Sequence, residues 1–392
     1  MTGEDIGISD LEQEYHSYIL RKILFIVIFL LGCVLVVGIS LSFNGRGLNI
    51  LECYSYLFKH ILGATYEFRS EDYLNDFMVW NVYTPRIAMA IVTGCGLAVC
   101  GVIMQSILAN PLADPYTTGV SDGATLGATA AIVTGLSFSG IAGSMGIVTN
   151  AFIGAIIPAV ILIFLSSALR MTPATCILIG TALSGIFSGL QTLMLYGVDA
   201  DHVTSALRWG IGTFSQTQWS DVTVPAIIMF AGAIASMFLY KQLNLLTTGD
   251  KTAKSLGVDV EKLKSICMIL VSFVAAAIIC YTGVIGFVGL LAPHMVRMIL
   301  GGDNKYVIPA AMLVGAFLLL ASDMICRIVV YPDELRAGLI MSAIGAPIFL
   351  YMIVRRKKGY GEVYRWRSPI PIPKRSRRPS TSTSTASAGA RR

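Results

Sequence analysis

Charge is scarce in this 392-residue chain. Asp, Glu, Lys and Arg together make up 13% of it, about half the share of a soluble domain. That argues against a soluble all-helical protein, which would have to hide about ten apolar helices of near-membrane length. Histidine is equally sparse. His16, His60, His202 and His294 are scattered, and none has a partner four residues on for a metal-binding helix face. The eight cysteines contain no CxxC pair, so neither a zinc site nor a redox motif is indicated. Seven of them sit within apolar segments, as small packing residues do. There is no HExxH run or other catalytic constellation, no cofactor motif and no GxxxxGK[ST] phosphate loop. No catalytic residue, cofactor or metal site is therefore expected, and any ATP chemistry would belong to another polypeptide. A cleavable signal peptide is not expected either, because about twenty mostly polar residues precede the first apolar run.

What the chain has is apolar sequence, 55% of it. About ten membrane spans are predicted, near 23–42, 83–106, 116–135, 147–168, 175–196, 223–242, 265–282, 285–300, 307–327 and 336–354. The fold class is an all-α polytopic membrane protein. Residues 1–22 form an N-terminal segment, 23–356 the membrane domain, and 357–392 a basic, proline- and Ser/Thr-rich tail expected to be disordered. Arg21 and Lys22 stand just before the first span, which reads as a signal anchor with its N-terminus in the cytoplasm. Lys and Arg concentrate in the tail and in the loops that this topology places inside, so both termini are expected in the cytoplasm of a prokaryotic cell. The tail's cations suit anionic lipid headgroups. The net charge of +6 comes from that tail and gives no reason to expect a nucleic-acid partner.

Asn110-Pro111-Leu112-Ala113-Asp114-Pro115 lies between two apolar runs. Two prolines and an aspartate cannot continue a helix through lipid, so the chain must turn at a surface or inside a protein-lined cavity. Gly119, Gly123 and Gly127 follow at every fourth residue, the spacing of a close-packing helix face. The spans near 116–135 and 285–300 are short, as interrupted helices at transport sites are. On the fifth span Thr181, Ser184, Ser188 and Gln191 share one helix face, with Ile186 opposite. Those hydroxyls suit either a wet lumen or interhelical packing. Asp323 and His294 are the titratable residues expected nearest the membrane interior. Acids of that kind are the mark of an ion-coupled secondary transporter, the alternative reading.

The stretch from Gly101-Val102-Ile103-Met104-Gln105 through the Asn110–Pro115 run to Gly123 resembles the permease subunits of ABC importers for ferric siderophores, haem and cobalamin. This is the FecCD or BtuC-like type. Further blocks carry the same likeness: Pro85-Arg86; Arg208-Trp209-Gly210; Gly283-Val284-Ile285-Gly286-Phe287-Val288-Gly289-Leu290; Pro293-His294 with Arg297; Asp323 with Arg327; Glu334; and Gly345-Ala346-Pro347. The resemblance implies a BtuC-like type II importer fold of ten helices and a homodimer. It also implies two ATP-binding cassette subunits on the cytoplasmic side and an extracytoplasmic substrate-binding protein. By the same likeness the fifth span walls the translocation path, with Thr172, Thr181, Ser184, Ser188 and Gln191 along it and Thr172 at a cytoplasmic gate. Ala253, Leu256, Gly257 and Val258 match the loop that engages the ATPase. Arg86 and Arg327 match arginines that pair with acids of the binding protein. Family members often carry a further basic residue three positions before Arg86, where this chain has Tyr83.

Overall fold

In hydrocarbon a backbone must satisfy its own hydrogen bonds, and the apolar runs do so as helices. The computed structural model describes residues 3–43, 45–140, 143–168, 172–330 and 333–357. The tail from residue 358 therefore lies outside the described residues, as does Met171. Among the described residues fifteen α-helices follow in order. They are α1 (Gly3–Ser42), α2 (Ile50–Ile61), α3 (Glu71–Phe77), α4 (Thr84–Ile107), α5 (Val120–Thr134), α6 (Ser144–Ala168), α7 (Pro173–Leu195) and α8 (Ala200–Trp209). The rest are α9 (Trp219–Phe238), α10 (Tyr240–Leu246), α11 (Asp250–Ser255), α12 (Val260–Thr282), α13 (Val288–Leu300), α14 (Asn304–Val329) and α15 (Ala337–Lys357). Among the described residues there is no strand.

Each of the ten expected spans corresponds to one helix: α1, α4, α5, α6, α7, α9, α12, α13, α14 and α15. Among the described residues seven helices are long and apolar enough to cross a membrane. α5 and α13 have only 15 and 13 residues, roughly 20 Å each at 1.5 Å per residue, well short of a hydrocarbon core. Irregular backbone completes both; before α5 it is exposed at Ala109 and Leu112 and becomes buried at Ala113–Pro115. The first irregular segment begins where α4 ends on Ala109, which adopts φ +43°. The Asn110 amide returns to Gln105 O and the Ala109 amide to Ser106 O, closing the helix end. The chain then turns back inside the bundle. The Asp114 side chain accepts the Tyr116 amide at 2.8 Å, and the Tyr116 hydroxyl reaches Ile285 O at 2.9 Å.

α4 is buried along nearly its whole length and packs against α14, α9, α12 and α13. α5 and α6 pack as a close pair. A Cβ on Gly123 would lie 2.3 Å from Gly154 O, and one on Gly127 would lie 2.1 Å from Asn150 O. Gly119 does not belong to that face. It adopts φ +83° and caps the start of α5, so the every-fourth pattern has two structural uses. α4 and α14 run antiparallel, with Arg86 near Asp323 at one end and Ser106 near Asn304 at the other. We call these the upper and lower ends.

Candidate translocation path, coupling loop and docking cluster

α7 touches the rest of the chain chiefly through α5, α6 and the turn at Pro115–Thr118. Thr172 caps its start by accepting the Thr175 amide at 3.2 Å. Leu183 and Phe187 form the buried side. Ile186 is 55% exposed, so it is not on the face that the chain itself covers. The four polar residues of the expected stripe divide in two. Thr181 and Ser188 are exposed. Ser184 and Gln191 instead reach across to α5, Ser184 Oγ donating to Asp122 Oδ2 at 2.6 Å and Gln191 Nε2 to Thr129 Oγ1 at 3.3 Å. Packing thus accounts for Ser184 and Gln191, while Thr181 and Ser188 stay uncovered by the chain itself.

At the lower end, α10 and α11 are two short helices joined by a tight turn. α11 stops on Gly257, whose φ is +86°. The Val258 amide returns to Ala253 O and the Gly257 amide to Lys254 O, each at 3.1 Å, a left-handed glycine closure. The closure separates the four expected coupling residues. Ala253 is buried against the chain's own core, Leu256 is 60% exposed, Gly257 is exposed and Val258 is half-buried. Lys264 Nζ holds Asp250, at the start of α11, at 2.7 Å. Asn244 of α10 donates to Asp303 Oδ1 and accepts the Asn304 amide, both at 2.8 Å. Asn304 Oδ1 accepts from Arg297 Nη2 at 2.9 Å, and Arg297 also reaches Ser106 Oγ at 3.0 Å and Gln105 Oε1 at 3.3 Å. A polar chain thus ties α10 to α13, α14 and α4.

At the upper end Arg86 and Arg327 meet on Asp323, but they do not form an exposed rim. Arg86 is 4% exposed and Arg327 6%. Arg86 Nε donates to both Asp323 carboxylate oxygens at 3.0 Å, and its Nη1 to Glu334 Oε2 at 2.7 Å. Arg327 Nε stands 3.6 Å from Asp323 Oδ2. Its Nη1 donates to Ser40 O at 3.0 Å, and its Nη2 to Ser40 Oγ. Two cations and two anions cancel, which lets Arg86, Arg327 and Asp323 remain buried at the head of α4 and α14 while Glu334 sits at the exposed edge. Tyr83, the departure from the family pattern, lays its ring 5.4 Å from the Arg327 guanidinium. Arg46, Arg69 and Arg208 at this end are exposed, and half-buried Arg336 donates to Ile211 O at 3.1 Å.

Residues 25–355 match the profile of the FecCD transport family. The chain belongs to that family. It is a permease subunit of an ABC importer and a multi-pass membrane protein. A hemin transport system permease of Yersinia pestis is 36% identical over 287 residues, covering 72% of this chain and 86% of its own. The vitamin B12 import permease of Vibrio cholerae is 33% identical, covering 79% and 92%. Among solved structures, an inward-facing transporter assigned to the metal-chelate type superposes with a TM-score of 0.72. It is 29% identical and covers 84% of this chain and 98% of its own.

Within the FecCD framework, sequence reasoning overlooked Asp122 and read Asp114 only as a helix breaker. Asp114 is buried and Asp122 half-buried, so Asp323 and His294 are not the only titratable groups in the interior. Asp114 caps the short turn at Pro115–Thr118 and Asp122 lies in the first turn of α5, both ordinary places for an acid. That local explanation masked their depth. The Arg297 network was also missed, because its members are far apart in sequence.

Proposed function

We propose that this FecCD-family subunit works as a homodimer carrying a metal chelate of the ferric siderophore, cobalamin or haem kind along a path walled by α7. The observation that carries the reading is the exposed hydroxyl edge of α7, Thr181 and Ser188, beside a polar seam to α5 at Ser184 and Gln191. A second copy facing that edge would enclose a lumen with weakly polar walls. Such a wall suits a bulky cargo that a soluble binding protein has already selected. Thr172, at the lower end of α7, is the gate position in this reading.

Two separate ATP-binding cassette subunits supply the hydrolysis and engage the lower end through Ala253, Leu256, Gly257 and Val258. The lower end is then cytoplasmic and carries both termini, with basic residues near anionic lipid headgroups. The binding protein docks on the upper end. Docking through Arg86 and Arg327 requires partner acids to take the place of Glu334 on Arg86, its side chain 38% exposed, and of Ser40 on Arg327. Family membership favours this reading over an ion-coupled secondary transporter.

Cysteine accessibility tests the path. All eight native cysteines are buried, and a cysteine-free background removes them. Single cysteines at Thr181 and Ser188 should react with a water-soluble thiol reagent in at least one nucleotide state, while cysteines at Leu183 and Phe187 stay protected. Protection of Thr181 and Ser188 in every state would overturn the assignment of α7.

A further inference from the structure

We propose that Asp122 is a charge-selecting residue of the translocation path, favouring cargo that carries cationic groups over polyanionic chelates. The proposal rests on the reading of α7 as the path wall. Ser184, which holds Asp122, lies at the midpoint of α7, so the carboxyl stands near the middle of the membrane domain. An ionisable group at that depth is costly unless it serves a site. Asp122 is half-buried, open on one side beside the exposed Thr181–Ser188 edge. Among the described residues no basic side chain pairs with it, unlike Asp323, Asp250 and Glu334. Among the described residues its carboxyl takes one side-chain hydrogen bond, from the Ser184 hydroxyl at 2.6 Å.

Two features suit an acid to that place. Asp122 lies in the first turn of α5, where the helix dipole stabilises negative charge. Gly119 caps that helix without a side chain, so Asp122 is not spent on the cap and turns to Ser184 instead. A carboxylate fixed in a narrow, low-dielectric path concentrates cations and repels anions. Two copies would face one lumen in the proposed dimer.

The test needs no knowledge of the cargo. In the assembled, cysteine-free transporter, Ser188→Cys places a thiol one helical turn from Ser184. Its labelling rates are measured with two methanethiosulfonates of similar size, one trimethylammonium and one sulfonate, each normalised to its rate with a free thiol. The cation-to-anion ratio should fall about threefold or more on adding Asp122→Asn, and the difference should shrink at high salt. Asp122→Glu should keep the wild-type preference, which separates charge from folding. A ratio unchanged by Asp122→Asn, with Ser188→Cys still reactive, overturns the role of Asp122 and leaves the path standing. No reaction at Ser188→Cys with either reagent in any nucleotide state overturns both.

Discussion

Arg86 shows how far a residue's neighbours outweigh its position in the chain. It stands at the opening of a span, where an arginine reads as an exposed docking charge. The fold instead surrounds it with Asp323 and Glu334. Removing one partner of a buried cluster leaves the other charge without compensation, at about 3–5 kcal/mol. Arg86→Ala should therefore lower the thermal midpoint of the purified subunit sharply, whereas Glu334→Ala, at the exposed edge, should lower it little. Equal midpoints for wild type and Arg86→Ala would remove the structural role. Gly257 is the opposite case, since its sequence context was a sufficient guide. Only its φ of +86° demands glycine, because nothing lies within 4 Å of an added Cβ. Gly257→Ala should cost about 1–2 kcal/mol of local strain and leave the bundle folded. Gly257→Trp should keep the subunit folded but lose ATP-driven uptake, and normal uptake by that variant would count against the coupling assignment.

Pairs of helices were legible where a periodic pattern met a simple rule. Glycine spacing along α5 announced a close neighbour, and α6 supplies it through Gly154. Gly123→Leu should prevent that approach and yield aggregated protein on gel filtration. Gly185→Leu, on the open side of α7, should remain monodisperse because nothing lies within 4 Å of its Cβ position. The anchoring of α10 was not legible. Asn244, Arg297, Asn304 and Ser106 come from four different stretches of chain, and no spacing rule relates them. Asn244→Ala should loosen α10 from α14 while leaving the membrane core intact. The expected result is near-normal ATPase activity in the assembled complex with reduced uptake per ATP. Unchanged stoichiometry would mean that α10 is held by its buried Leu243 and Leu246 alone.

A subunit that leaves Leu178, Leu193, Phe164, Phe230 and Phe238 strongly exposed needs lipid or a second copy to cover them. Cross-linking through cysteines at Ser188 in two copies should give a covalent dimer if α7 lies near the dimer axis; a different partner face would give none. Docking belongs to the assembled molecule as well. If Arg86 and Arg327 carry it, Arg86→Glu with Arg327→Glu should weaken binding-protein affinity more at low ionic strength than at high. Unchanged affinity in a properly assembled complex would leave both arginines purely structural. The order of ten spans, the broken α5 and α13, and the glycine closure at Gly257 were all decided by local chemistry. Apolar length, proline and glycine act through near neighbours in the chain, and lipid allows few alternatives. Which polar group meets which was decided only by packing. Asp122 faces Ser184, Arg327 faces Ser40 and Arg86 is enclosed rather than displayed, because each pairing joins distant stretches whose approach depends on the whole bundle.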